Sequence, residues 1–200
     1  MNFNRFNLLL LIPVIFAIDL YAQNGGNTED SFKYIVKEVT IRGKTNINQF
    51  SFNYDTNHIT YFNGNDHEKY SGYSKQMVKI DLPVKAFDSN NPTMNQDFYA
   101  LMKSSEFPEI TVGIPRSQLE KMFINRSKEL LIFYIKMAGM EKVVTGDYSY
   151  TLSSPGKLNL EGVMHLQLDD FSLDPPQKML GLVQVDNTIF INFDILLYQR

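Results

Sequence analysis

The last third of the chain alternates apolar and polar residues with a period of two. From Leu158 the apolar positions are Leu158, Leu160, Gly162, Met164, Leu166 and Leu168, separated by Asn159, Glu161, His165 and Gln167, with Val163 the one apolar exception. From Ile189 they are Ile189, Ile191, Phe193, Ile195 and Leu197, interleaved with Asn192 and Asp194. Successive side chains on a strand point to opposite faces, so this pattern predicts two long strands, each with one wet and one oily side. The same alternation predicts shorter strands at Phe32–Ile41, Phe50–Tyr54, Val78–Leu82, Ile110–Ile114 and Val143–Leu152, and a weaker one at Ile59–Phe62. Leu130–Met137 is a near-continuous apolar run, as expected of a strand covered on both faces. Turn residues punctuate these segments: Gly43 to Asn46, Asn63 to Gly72, Gly139, and Ser153 to Gly156.

A different period occurs in two places. Met94, Phe98, Leu101 and Met102 recur at i, i+4, i+7 and i+8, which predicts one short helix over about Met94–Ser104. Thr93 or Asn95 can cap it, and Pro108 ends it. A second helical turn fits Ser117–Phe123, with Ser117 as its cap. The segment "DDFSLDPPQKMLGL" between the two last strands reads as a connection, with Pro175–Pro176 as an extended link and Gly181 permitting a close approach. The fold class is therefore all-β: about eight antiparallel strands with one oily face, which close most easily into a barrel or a sandwich. In a barrel, Phe52, Ile80, Leu82, Leu160, Met164, Leu166, Ile191, Phe193 and Ile195 face inward. They either line a cavity for an apolar ligand or fill a closed core, since inward alternation serves both.

The N-terminus stands apart from this pattern. Arg5 precedes an apolar run of about 11 residues, Leu8–Ile18, against roughly 20 needed to span a bilayer. Ala22 provides the small residue a signal peptidase requires, and Ala17 offers a second cleavage point. Residues 1–22 are accordingly expected to be a cleaved signal peptide rather than a membrane anchor. Residues 23–30 would be a flexible lead-in, residues 31–200 one β-barrel domain, and the location periplasmic or secreted. There is no cysteine, so an exported chain would be held by packing and hydrogen bonds without disulfides. The formal net charge of −3 offers no basic excess for nucleic acid, and no stable membrane span is expected once the leader is gone. Fifteen Phe, eleven Tyr and no Trp suit strands better than long helices.

Candidate chemistry is sparse. His58, His67 and His165 occur without HxH or HExxH spacing. His165 and Asp169 can share an outer strand face, but a metal site needs a third partner. There is no G-x-S-x-G elbow, phosphate loop or dinucleotide fingerprint. Asp169 and Asp170 are adjacent and face opposite ways on a strand, so they cannot share a proton. Asp97 sits in the predicted helix, where it can brace the helix against the barrel. No catalytic constellation, metal site or cofactor is expected, and an enzyme at the barrel mouth would need converging polar groups that the sequence does not display.

Four segments, in order, resemble the YceI-like family: "IRGKTNINQFSFNYD", "MNQDFYALMKSSEFPEITV" with its acidic helix and P-x-I strand start, the "MAGMEKVVTGDYSYTL" hairpin, and "LDDFSLDPPQKMLGLVQVDNTIFINFDILL". The resemblance covers most of Phe32–Leu197. It implies a lipocalin-like antiparallel barrel exported by bacteria, some members of which hold a polyisoprenoid chain. The chain departs from the family in lacking its histidine-bearing opening strand and in carrying about 15 extra residues between Pro115 and Glu129. The resemblance implies a non-enzymatic binding protein for a long apolar lipid, a polyisoprenoid or isoprenoid quinone. The alternative is a closed structural or stress-related interaction domain with a filled core.

Overall fold

The computed structural model describes residues 32–57, 77–125, 130–178 and 182–199. The expected signal peptide and lead-in, the strand at Ile59–Phe62, His58, His67 and Gly181 lie outside them. Eleven strands are present among the described residues: β1 (Phe32–Lys44), β2 (Gln49–Tyr54), β3 (Met77–Pro83), β4 (Phe87–Asp88), β5 (Glu109–Pro115), β6 (Ile132–Met137), β7 (Met140–Ser154), β8 (Lys157–Gln167), β9 (Gln177–Lys178), β10 (Val183–Gln184) and β11 (Thr188–Gln199). Two helices, α1 (Pro92–Leu101) and α2 (Arg116–Asn125), interrupt them.

Nine strands form one antiparallel sheet in the order β3-β5-β6-β7-β8-β11-β1-β2-β4. Its edge strands, β3 and β4, are consecutive in the chain and joined by a single turn of 3-10 helix, Val84–Ala86. A sheet whose two edges are three residues apart has curled round on itself, and the result is a nearly closed barrel. The long strands set its register: Ile41 stands opposite Ile191, Val39 opposite Phe193, Ile191 opposite Met164, and Ile195 opposite Leu160. The buried Tyr34 of β1 lies beside Asp81 of β3, where the two parts of the wall come together.

The expected fold class holds, with nine barrel strands where about eight were expected. The alternation in β1 changes phase midway. Phe32, Tyr34 and Val36 point inward, a register shift falls between Val36 and Glu38, and Val39 and Ile41 then take over the inward face. One extra residue in a strand reverses the facing of everything after it, so the bulge keeps both halves of β1 oily side in. Gly43 does not introduce the turn. It lies within β1, and the turn begins at Thr45, whose hydroxyl accepts from Asn48 N–H at 2.9 Å. β6 is not covered on both faces: Phe133, Ile135 and Met137 are buried, Ile132 and Tyr134 are half-buried, and Leu130 just before it is exposed. Gly139 does form a tight turn, with Ala138 at φ 48° and Gly139 at φ 83° linking Met137 to Met140. Two successive residues at positive φ match the right-handed twist of a two-residue hairpin.

The helices differ in detail from expectation. α1 is capped by Asn91, whose side chain accepts from Thr93 N–H at 3.1 Å and Met94 N–H at 3.2 Å, with Pro92 at the first helical position. It ends at Leu101, well before Pro108, because Lys103 turns into the left-handed region (φ 51°). α2 is longer than the turn expected at Ser117–Phe123. α2 forms the floor of the barrel: Leu119 and Met122 are buried, Phe123 packs on Phe32 with ring centroids 5.9 Å apart, and Arg116 lies 5.1 Å above the Phe32 ring. Gln118 fastens this floor to the wall, donating to Leu130 O at 2.9 Å and accepting from Ile132 N–H at 3.2 Å.

Candidate functional site

With α2 closing one end, the other end is where the barrel has room. A cavity of about 350 Å³ opens there, beside α1 and the β1–β2 turn. α1 contributes Met94, Asp97, Phe98 and Leu101, with Met102 just beyond its end. β1 and β2 contribute Ile41, Phe50 and Phe52. Ile110 of β5, Met137 of β6, and Ile189 and Ile191 of β11 supply the opposite walls. The β8–β11 connection adds Leu168, Pro176, Val183 and Val185. That connection is structured: Asp169–Phe171 make a 3-10 turn with Phe171 buried, and β9 pairs with β10.

Local chemistry explains how α1 comes to form a wall. Asn95 accepts from Ser89 N–H at 2.9 Å and from the Ser89 hydroxyl at 2.7 Å, which pins the helix to the chain leaving β4. The Tyr99 hydroxyl lies 3.1 Å from Phe87 O and 3.2 Å from Lys85 O, which ties the helix to the barrel seam. Burial and the nearby Asp88 raise the Tyr99 phenol above its ordinary pKa, so it stays a neutral donor. On its inner face, Phe98 stacks on Phe52 with centroids 4.4 Å apart and planes 26° apart. Asn95 and Tyr99 thus brace the helix, and Asp97 stands half-buried on the pocket wall.

The nine inward residues named from sequence are all buried, but they do not share one site. Phe52 and Ile191 line the open pocket. Ile80, Leu82, Met164, Phe193 and Ile195, again with Ile191, surround a second apolar space of only about 30 Å³ at mid-barrel. Leu160 and Leu166 line neither and serve as packed core. Among the described residues the apolar interior is thus divided into two spaces of unequal size. Phe193 meets Phe133 edge to face at 5.5 Å across its middle. The pocket residues of α1 and of the β8–β11 connection were not legible as a site. The one available signal was apolar residues (Leu168, Val183, Val185) inside a segment otherwise composed like a loop.

The pocket is built for hydrocarbon. Its polar neighbours are engaged locally: the Asn91 side-chain oxygen caps α1, and the Thr45 hydroxyl serves its own turn. Among the described residues no three His, Cys, Asp or Glu side chains come together as a metal site would require. His165 lies on the outer face of β8 with its ring 4.8 Å from Phe190, and Asp169 and Asp170 are exposed. No helix among the described residues is long and apolar enough to cross a membrane.

Fold and site together define a lipocalin-like antiparallel barrel, floored at one end and open at the other to an apolar pocket. No family model matches the chain, and no curated protein sequence does. Solved structures do. A polyisoprenoid binding domain from Saccharophagus degradans, implicated in plant cell wall breakdown, superposes with a TM-score of 0.65 at 8% identity, covering 86% of this chain and 99% of that one. Burkholderia cenocepacia BcnA superposes with a TM-score of 0.51 at 12% identity, covering 80% of this chain and 94% of the other. At such identities the likeness is one of fold, and that fold is the barrel the YceI-like segments imply.

Proposed function

We propose that this protein is a non-enzymatic binding protein for an apolar lipid chain, an isoprenoid in particular, and that it works outside the cytoplasm after residues 1–22 are removed. The observation that carries this reading is the open pocket of about 350 Å³, almost wholly apolar, at the end of the barrel away from α2. That volume falls within the roughly 300–1,000 Å³ typical of small-molecule sites. A hydrocarbon tail seated there gains about 0.8 kcal/mol per buried methylene, less the cost of ordering it. The polyisoprenoid-binding domain that shares this fold supports the choice of ligand class, and the Leu8–Ile18 run followed by Ala22 supports export.

The competing reading, a closed structural domain, draws on the filled mid-barrel between Phe133 and Phe193. One experiment separates the two: native mass spectrometry and lipid extraction of protein purified from its own host, followed by titration with prenols and isoprenoid quinones. Co-purified lipid, or saturable uptake of a prenol, supports the carrier. Ligand-free protein that takes up neither class leaves the closed domain as the better account. The same spectra give the mass of the mature chain, and a retained residue 1–22 segment would count against export by cleavage.

A further inference from the structure

Two apolar spaces lie one behind the other along the barrel axis, and they share walls. Ile41, Ile110 and Ile191 line both the open pocket and the small mid-barrel space. Ile41 and Ile191 are cross-strand partners on the adjacent β1 and β11, Ile110 comes from β5 elsewhere in the barrel wall, and all three are buried. Behind them the Phe133–Phe193 contact occupies the centre. Beyond that, α2 closes the far end with Leu119 and Met122. A chain entering at the mouth therefore meets a partition of three isoleucines and then a packed interior.

We infer that this partition sets the length of chain the pocket reads. The inference rests on the lipid-binding reading above and specifies its ligand. A cavity of about 150 Å³ takes one benzene, so by the same measure about 350 Å³ takes roughly fourteen carbons, or about three isoprene units. The pocket seats that much of a prenyl tail. Further units remain outside the mouth, where they bury no additional apolar surface and add no affinity. Ile41, Ile110 and Ile191 are the specificity-determining residues, acting as an end-stop. The remainder of a longer chain, with any head group, lies at or beyond the rim near Asn91 and Thr93.

The test is a length series (geraniol, farnesol, geranylgeraniol, solanesol) titrated into the full mature chain and read by tryptophan-independent means such as native mass spectrometry or competition with a fluorescent fatty acid. Affinity should climb by on the order of tenfold or more from geraniol to farnesol and then change by less than about threefold out to solanesol. In the Ile110→Ala/Ile191→Ala variant, which joins the two spaces, the climb should continue to geranylgeraniol. In Ile195→Val, which enlarges only the space behind the partition, the break should stay at farnesol. Affinity in the native protein that keeps climbing through solanesol would overturn the end-stop while leaving lipid binding intact. A break that the double variant fails to move, with its fold verified by circular dichroism, would do the same. Uptake of no prenol at any length would instead remove the lipid reading itself. The native length profile decides the matter even where the double variant does not fold.

Discussion

Gly162 shows how one missing side chain can organise a barrel. It stands opposite Phe193 across the β8–β11 ladder, and a Cβ there would lie 2.4 Å from Asp147 O and 2.8 Å from the Phe193 ring. The ring can lie over the glycine and reach Phe133, so the absence of an atom on β8 positions the aromatic plug at mid-barrel. Gly162→Ala should destabilise the protein by about 2 kcal/mol or more in urea unfolding, because a backbone carbonyl as well as a ring must give way. Gly43 and Phe50 repeat the arrangement on the β1–β2 pair, and there the ring forms pocket wall. Tyr34 is a second residue with a specific consequence. Burial pushes its phenol well above the ordinary value, the neighbouring Asp81 carboxylate pushes the same way, and the Asp81 backbone group bonded to it only partly offsets them. The unfolded chain loses this proton near pH 10 while the folded chain keeps it, so stability is unaffected below about pH 10 and falls above it by up to about 1.4 kcal/mol per pH unit. Tyr34→Phe should show a shallower decline between pH 10 and 11 than the native protein. Urea unfolding of both proteins at several pH values reads the difference.

At the scale of elements, two short helices with different duties finish the barrel. α1 is a wall of the pocket, and its start depends on the Asn91 cap. Asn91→Ala should cost about 1 kcal/mol and weaken prenol binding, since the pocket face of α1 would fray with its first turn. α2 is the floor at the opposite end. Leu119→Ala should cost about 2–5 kcal/mol by leaving a cavity, yet leave prenol affinity unchanged at temperatures where the variant is folded. The sequence was most readable where an element has one wet face over a long stretch, as in β8 and β11, because a period of two survives there without interruption. It was least readable where a single residue changes the bookkeeping. The shift between Val36 and Glu38 reverses the facing of β1, and Asn91 followed by Pro92 starts α1 earlier than the apolar spacing alone indicates. The pocket escaped for a related reason. Alternation states which way a side chain points but not how far along the barrel axis it stands. Thus Ile80 and Ile195 were rightly placed inside, though they sit behind the partition rather than at the mouth. The walls that matter came from α1 and from the β8–β11 connection, where Leu168, Val183 and Val185 sit among turn-forming residues and carry no periodic mark.

On the scale of the whole molecule, stability and occupancy are linked. A ligand that binds only the folded barrel, at a hundred times its dissociation constant, adds about 2.7 kcal/mol, which corresponds to a rise in melting temperature of roughly 5–10 °C for a domain of this size. Thermal scans with and without farnesol should show that rise, and an unmoved transition at saturating farnesol would count against the pocket as its site. The opening also bears on traffic. Among the described residues, the vessel is stoppered at the base by α2 and narrowed at its waist by two phenylalanines, and its apolar doorway lies at the other end. On the carrier reading proposed above, cargo would back out along the path by which it came, so whichever surface delivers it and whichever surface receives it would have to present themselves in turn to the same rim.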